Sequence, residues 1–299
     1  NKISKNINFQ QQARYHEALA VAMVGDFEEA EKIFSGQKYG VIDLDVRGVE
    51  AYAQILIQVN KKKLALELIE GELSKSFNPH FPLIDLKNKI QEDLLIEYDF
   101  ITNPKQGIAE VYLTIAKLLK NKIEHNQVLL LSRIAEYLRP DYPTIVLQVA
   151  NVLENLQQYD LALDSYSSVN PKNPNYLLAE LGRAKNLALL NRESESIEVL
   201  KSLSKSHYDN VVVHSSLGNM LRETDRDIEA LEAYSTAINL ANLRNQPRWP
   251  IYFYRGILYE KQKNFVKMES DFREALKISP NQPDVLNFLG YALVEQRKK

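Results

Sequence analysis

The chain has 299 residues, 45% of them hydrophobic and 25% charged, with a formal net charge of −2. This ordinary globular composition carries no excess of positive charge, which argues against the strongly basic face that nucleic-acid binding uses. Cysteine is absent, so disulfides, thiol catalysis and cysteine metal sites are excluded, and no apolar run approaches the ~20 residues of a membrane-crossing helix.

The chain starts at Asn1 without a leader pattern, as expected of a trimmed or mature form; its address cannot be read from these residues. Helical periodicity begins in Glu17 to Phe34, where Ala18, Val21, Ala30 and Phe34 fall on one packing pattern. Ser35 to Leu44 reads as a loop. Ala51 to Ile69 repeats the pattern with Ala53, Leu56, Ala65 and Ile69. "SKSFNPHFP" (Ser74 to Pro82) then breaks it, residues 83–98 read as one odd helix, and "DFITNPKQG" (Asp99 to Gly107) is a second break. The density of breakers makes 74–108 an irregular joint between two arrays, with a degenerate repeat unit as the alternative.

From residue 109 onward the sequence repeats. Gly256 is followed by Tyr259, Met268, Phe272, Ala275 and Pro280, at offsets of 3, 12, 16, 19 and 24. The same offsets from Gly218 give Leu221, Ala230, Tyr234, Ala237 and Asn242; from Ala150 they give Leu153, Ala162, Tyr166, Val169 and Pro174. Ala116, Ala184 and Gly290 continue the register, with spacings of 34 residues except for 38 between Gly218 and Gly256. Small residues at the anchor and at offset 12 let two successive helices cross closely, the residue at offset 16 fills the space beside them, and a breaker ends the second helix. The units are 109–142, 143–176, 177–210, 211–248 and 249–282, with a half unit at 283–299. The four extra residues of the fourth unit fall in 241–248 and are expected to lengthen the turn before Trp249.

This pattern resembles the tetratricopeptide repeat (TPR), W-x2-L-G-x2-Y…A-x3-F…P. "LGNMLRETDRDIEALEAYSTA" (Leu217 to Ala237) matches it well, and "LQQYDLALDSYSSVNPKNP" (Leu156 to Pro174) carries its second half. The signature tryptophan is replaced throughout, and Val128 and Met268 stand where a small residue is expected. The resemblance implies an all-α fold, a right-handed α-α superhelix of stacked antiparallel helix pairs, with residues 1–73 as degenerate pairs of the same kind. "WPIYFYRGILYEK", "DFREALKISPNQPDVLNFLGYALVEQ" and "AEYLRPDY" look like a proteobacterial group of envelope-associated TPR proteins with no assigned chemistry. That likeness covers residues 105–299 and implies a periplasmic or envelope setting, with the cytoplasm as alternative. In that group the array continues past this point, so the half unit is expected to be a cut repeat, or else a cap. Leu286, Phe288, Leu289 and Leu293 would leave apolar surface on it.

The five histidines form no HExxH or i, i+4 pair, and no G-x-S-x-G, P-loop or G-x-G-x-x-G occurs. Acidic and mixed runs read as solvated helix faces. No catalytic, metal or cofactor residue is assigned, and the chain reads as a non-enzyme. In the TPR family the first helix of each unit lines the concave surface. The positions that match here include Glu110, Lys117, Asn151, Lys185, Asn219, Arg222, Phe253 and Ile257. Family members that clamp a peptide's C-terminal carboxylate carry asparagine one residue after the anchor, as at Asn151 and Asn219. They also carry lysine three residues before it, where this chain has Leu147 and Ser215. The expected function is a protein-interaction scaffold holding a peptide or partner helix in that groove. The alternative is a helical arm that self-associates through the C-terminal half unit.

Overall fold

The computed structural model describes residues 9–75, 80–140 and 142–297. Residues 76–79 of the break expected over 74–82 lie outside them. The described residues form helices and connections only, without a strand: α1 (Phe9–Met23), α2 (Phe27–Phe34), α3 (Val46–Gln58), α4 (Lys62–Lys75), α5 (Phe81–Gln91), α6 (Pro104–Leu119), α7 (His125–Leu138), α8 (Pro143–Asn155), α9 (Tyr159–Ser167), α10 (Tyr176–Leu189), α11 (Glu193–Ser206), α12 (Val211–Glu223), α13 (Asp227–Leu243), α14 (Trp249–Lys261), α15 (Phe265–Ile278) and α16 (Pro283–Arg297). They fall into two compact units, Asn1–Ala179 and Glu180–Lys299.

In the first unit α1 pairs with α2, α3 with α4, α6 with α7 and α8 with α9; in the second, α12 pairs with α13 and α14 with α15. The starts of these helices are dictated locally. Asp26, Asp45, Asn103 and Asn264 each accept a hydrogen bond from a backbone N–H in the first turn of α2, α3, α6 and α15. Proline opens α6 and α8, where its missing N–H costs nothing.

The turn inside each pair is as regular as the packing. Seven residues past the anchor the backbone is left-handed: Gly25, Asn60, Gln157, Asn191, Asp225 and Lys263 all have φ between 55° and 90°. The N–H of the next residue then reaches back to the carbonyl at offset 3, as Arg226 does to Leu221 (2.8 Å) and Asn264 to Tyr259 (2.8 Å). This is the 6→1 closure of a helix C-terminus. Gly adopts it freely, Asn and Asp more easily than other residues, and β-branched residues least; unit 109–142, with Ile123 in that place, turns without it.

The anchors make the close contacts that the repeat implies. Ala116, Ala150 and Ala184 are buried, as are Val128, Ala162, Ser196, Ala230 and Met268 twelve residues on. The Tyr234 ring lies over Gly218 and the Phe272 ring over Gly256, both rings fully buried. Two expectations need correcting. The odd helix ends at Gln91, because Asp93 turns left-handed and the Leu94 N–H closes onto the Lys89 carbonyl at 3.0 Å; residues 94–99 are not helical. The insertion in 241–248 mostly lengthens a helix: α13 has 17 residues against 14 in α11 and in α15.

Candidate functional site

In the first unit, Lys117 and Asn151 stand one residue past the anchors on α6 and α8. Asn151 is half-buried, and its side-chain oxygen accepts from Lys120 Nζ at 2.7 Å. Its amide N–H groups have no partner among the described residues. Lys117 faces a cleft of about 330 Å³ lined also by Tyr15, Asp45, Arg47, Glu110 and Thr114. Burial, reinforced by the Arg47 charge, holds its ammonium below the usual lysine range.

Behind Lys117 lies a charged core. Arg47 Nη2 meets Glu110 Oε2 at 2.6 Å, with both side chains almost wholly buried. Tyr15 donates to Glu110 Oε1 (3.1 Å), and Arg47 Nη1 donates to the Tyr142 hydroxyl (2.7 Å). The guanidinium also lies 4.2 Å from the centre of the Phe100 ring. Burial pushes the Glu110 carboxyl upward, but Arg47 and its hydrogen bonds outweigh that and hold it below the usual range. Glu110, matched by the family pattern to a groove position, is therefore a structural ion that fastens α3 to α6. Arg47 and Tyr15 carry no signal in the repeat, since both precede the regular array.

In the second unit Asn219 and Arg222 form one network on α12. The Tyr234 hydroxyl donates to Asn219 Oδ1 at 2.7 Å and receives Arg222 Nε at 3.4 Å. The Arg222 guanidinium lies 4.8 Å from the centre of the Tyr254 ring, which stacks in turn on Tyr234 at 6.4 Å. As with Asn151, the Asn219 oxygen is satisfied from within and its amide donors have no partner among the described residues. Lys185 is exposed on α10 and Ile257 is partly exposed on α14. Phe253 is 6% exposed and packs against Trp249, Tyr254, Phe272 and Phe288, with ring centres 5.4–6.1 Å apart. A partner could reach it only by displacing those rings. On the same helix Arg255 grips Asp271 with two hydrogen bonds of 2.8 and 2.7 Å, tying α14 to α15; the Asp271 carboxylate is buried.

No protein-family model matches the sequence, and no curated protein matches it. The fold does have counterparts. MamA from Desulfovibrio magneticus RS-1 (residues 41 to the end) superposes with a TM-score of 0.50 at 15% identity, over 61% of this chain and 99% of that one. The APC/C hetero-tetramer Cut9–Hcn1 gives 0.55 at 13% identity, over 91% of this chain and 54% of that one, so this chain spans about half the length of its counterpart. A tetratricopeptide repeat protein from Parabacteroides merdae aligns over 95% of this chain and 98% of its own at 14% identity, with a TM-score of 0.45. The fold is TPR-like. What these proteins share with the chain, at such identities, is architecture.

Proposed function

We propose that the chain is a non-enzymatic protein-interaction scaffold that holds an extended peptide or partner helix against the first helices of its repeat units. The observation that carries this is the state of Asn151 and Asn219. Each has its oxygen held by an intramolecular donor, Lys120 Nζ or the Tyr234 hydroxyl, and each keeps its amide donors for another acceptor. A side chain fixed in this way offers two N–H groups to a peptide carbonyl without losing rotamer freedom on binding. Arg222, packed on Tyr254, and Lys185 add positive charge for a carboxylate, and Ile257 adds apolar contact. The resemblance of 105–299 to envelope-associated proteins makes the envelope the first compartment to examine. The test is capture of partners by the wild type against the Asn151→Ala, Asn219→Ala, Arg222→Ala triple variant. Unchanged recovery by a variant that is folded would refute the groove.

The second reading, self-association through α16, is favoured by Leu286, Phe288, Tyr291 and Val294, all exposed along that helix while Val285, Leu289 and Ala292 pack inward. Light scattering over a concentration series tests it, and a constant monomer mass rules it out.

A further inference from the structure

Between α5 and α6 the chain runs through Leu94 to Asp99 without helix or turn. The segment is held from one side. Gln58 Nε2 donates to the Ile96 carbonyl (2.9 Å), and the Gln54 side chain accepts from the Asp99 N–H (3.2 Å) and donates to the Asp99 carboxylate (2.8 Å). Arg139 donates to the Phe100 carbonyl at 2.7 Å. The backbone N–H and carbonyl groups of Leu95 and Glu97 have no partner among the described residues. Beside them Leu95 is 89% exposed and Leu94 48% exposed. An open backbone edge flanked by exposed apolar side chains is the arrangement to which another strand adds.

The segment forms one wall of a cleft of about 610 Å³, whose other walls come from α3, α5, the start of α8 and residues 173–175. The charge in this cleft is one-sided. Its cations are already engaged: Lys89 by Asp85 at 2.8 Å, and Arg139 by backbone carbonyls and the Tyr142 ring, 3.6 Å from its centre. Glu97 and Asp99 add two exposed carboxylates, while Glu50, on the same wall, already pairs with Arg47 Nη1 at 3.4 Å.

We propose that Leu94–Asp99 is a strand-pairing site for an extended peptide carrying lysine or arginine. The backbone of Leu95 and Glu97 bonds the peptide main chain, Leu94 and Leu95 cover its apolar residues, and Glu97 and Asp99 receive its cations. Main-chain bonding supplies affinity for any sequence, and the acidic wall selects basic ones. The residues that line this surface include none of Asn151, Lys185, Asn219, Arg222 or Ile257.

The experiment is fluorescence anisotropy with the full chain and a labelled heptapeptide of alternating lysine and valine. Three comparisons accompany it: the same peptide with alternate backbone nitrogens methylated, a glutamate–valine counterpart, and the variants Leu95→Pro and Glu97→Lys. Leu95→Pro removes an N–H that bonds nothing among the described residues, so circular dichroism should match wild type. The lysine–valine peptide is expected to bind, with a loss of at least about tenfold on methylation, on Leu95→Pro and on Glu97→Lys, since each removes main-chain bonds or reverses a charge. The glutamate–valine peptide is expected not to bind, and Asn219→Ala with Arg222→Ala is expected to change nothing, which separates this site from the groove. No binding of the basic peptide at millimolar concentration overturns the proposal. Equal binding of the methylated or the acidic peptide does so too.

Discussion

The Phe272 ring lies so close to Gly256 that a methyl group on that glycine would come within 2.5 Å of ring carbon Cε1. At Gly218 the same construction meets the Tyr234 ring at 2.7 Å, whereas at Gly290 nothing lies within 4 Å. Gly256→Ala and Gly218→Ala are therefore expected to lose about 1–2 kcal/mol net, the overpacking of a buried ring exceeding the roughly 1 kcal/mol gained in helix propensity. Gly290→Ala keeps only the gain and should be neutral or slightly stabilising. Urea denaturation of the three variants checks this, and three equal shifts would remove the contact role of the anchors.

The Arg47–Glu110 pair gives a second expectation. Glu110→Ala leaves the buried Arg47 guanidinium with only Glu50, 3.4 Å from Nη1, as counter-ion and should cost about 3 kcal/mol, whereas replacing Arg47, Glu50 and Glu110 together by apolar residues of similar volume should recover most of the loss. Because the Glu110 carboxyl is held below its ordinary range in the fold, its contribution is present above the unfolded-state carboxylate pKa and is lost as pH falls through the folded value. Glu50, raised by burial, works in the opposite sense and partly masks this. A double-mutant cycle in denaturant isolates the pair.

His80 supplies a separate acid-sensitive step. It caps α5 by accepting from the Leu83 N–H at 3.4 Å, which requires an unprotonated Nδ1. Burial, with the Arg47 and Lys117 charges, pushes its pKa down from 6.5 to about 4. The unfolded chain takes up the proton first. Stability is thus complete above about pH 6.5 and falls as pH drops from there towards 4. His80→Asn keeps a cap acceptor and removes the titration, so its stability should fall less over that window. An unchanged slope would assign the loss to other groups, His16 first, since burial lowers its pKa too.

Arg255 and Asp271 form the corresponding tie between α14 and α15. Arg255→Lys replaces a two-pronged grip with a point charge and is expected to cost about 1–2 kcal/mol, more than an exposed arginine would. Thermal unfolding measures it.

The sequence made the packing legible because packing repeats. Anchors and their offset-12 partners are buried in every full unit from 109 to 282, and Ala18, Ala30, Ala53 and Ala65 lie in the same register further upstream. The left-handed turn seven residues past the anchor was not read from the sequence: Gly25, Asn60, Asn191 and Asp225 are turn formers, but Gln157 and Lys263 obscure the pattern. What could not be read were contacts set by tertiary placement. Arg47 finds Glu110 sixty-three residues away, Phe253 is enclosed by Phe288 from the following unit, and segment 94–99 is held by glutamines of α3. None of these pairs has a sequence spacing that recurs.

The most direct test of the scaffold account is site-specific photo-cross-linking in cells that produce the chain. A photoreactive residue is placed in turn at Asn151, Asn219 and Ile257, on first helices. For comparison it is placed at Leu130, Ile228 and Val266, which are exposed on second helices. Cross-linked partner species from the first set, with none from the second, is the expected result. Partners captured only from positions 130, 228 and 266 would contradict the account.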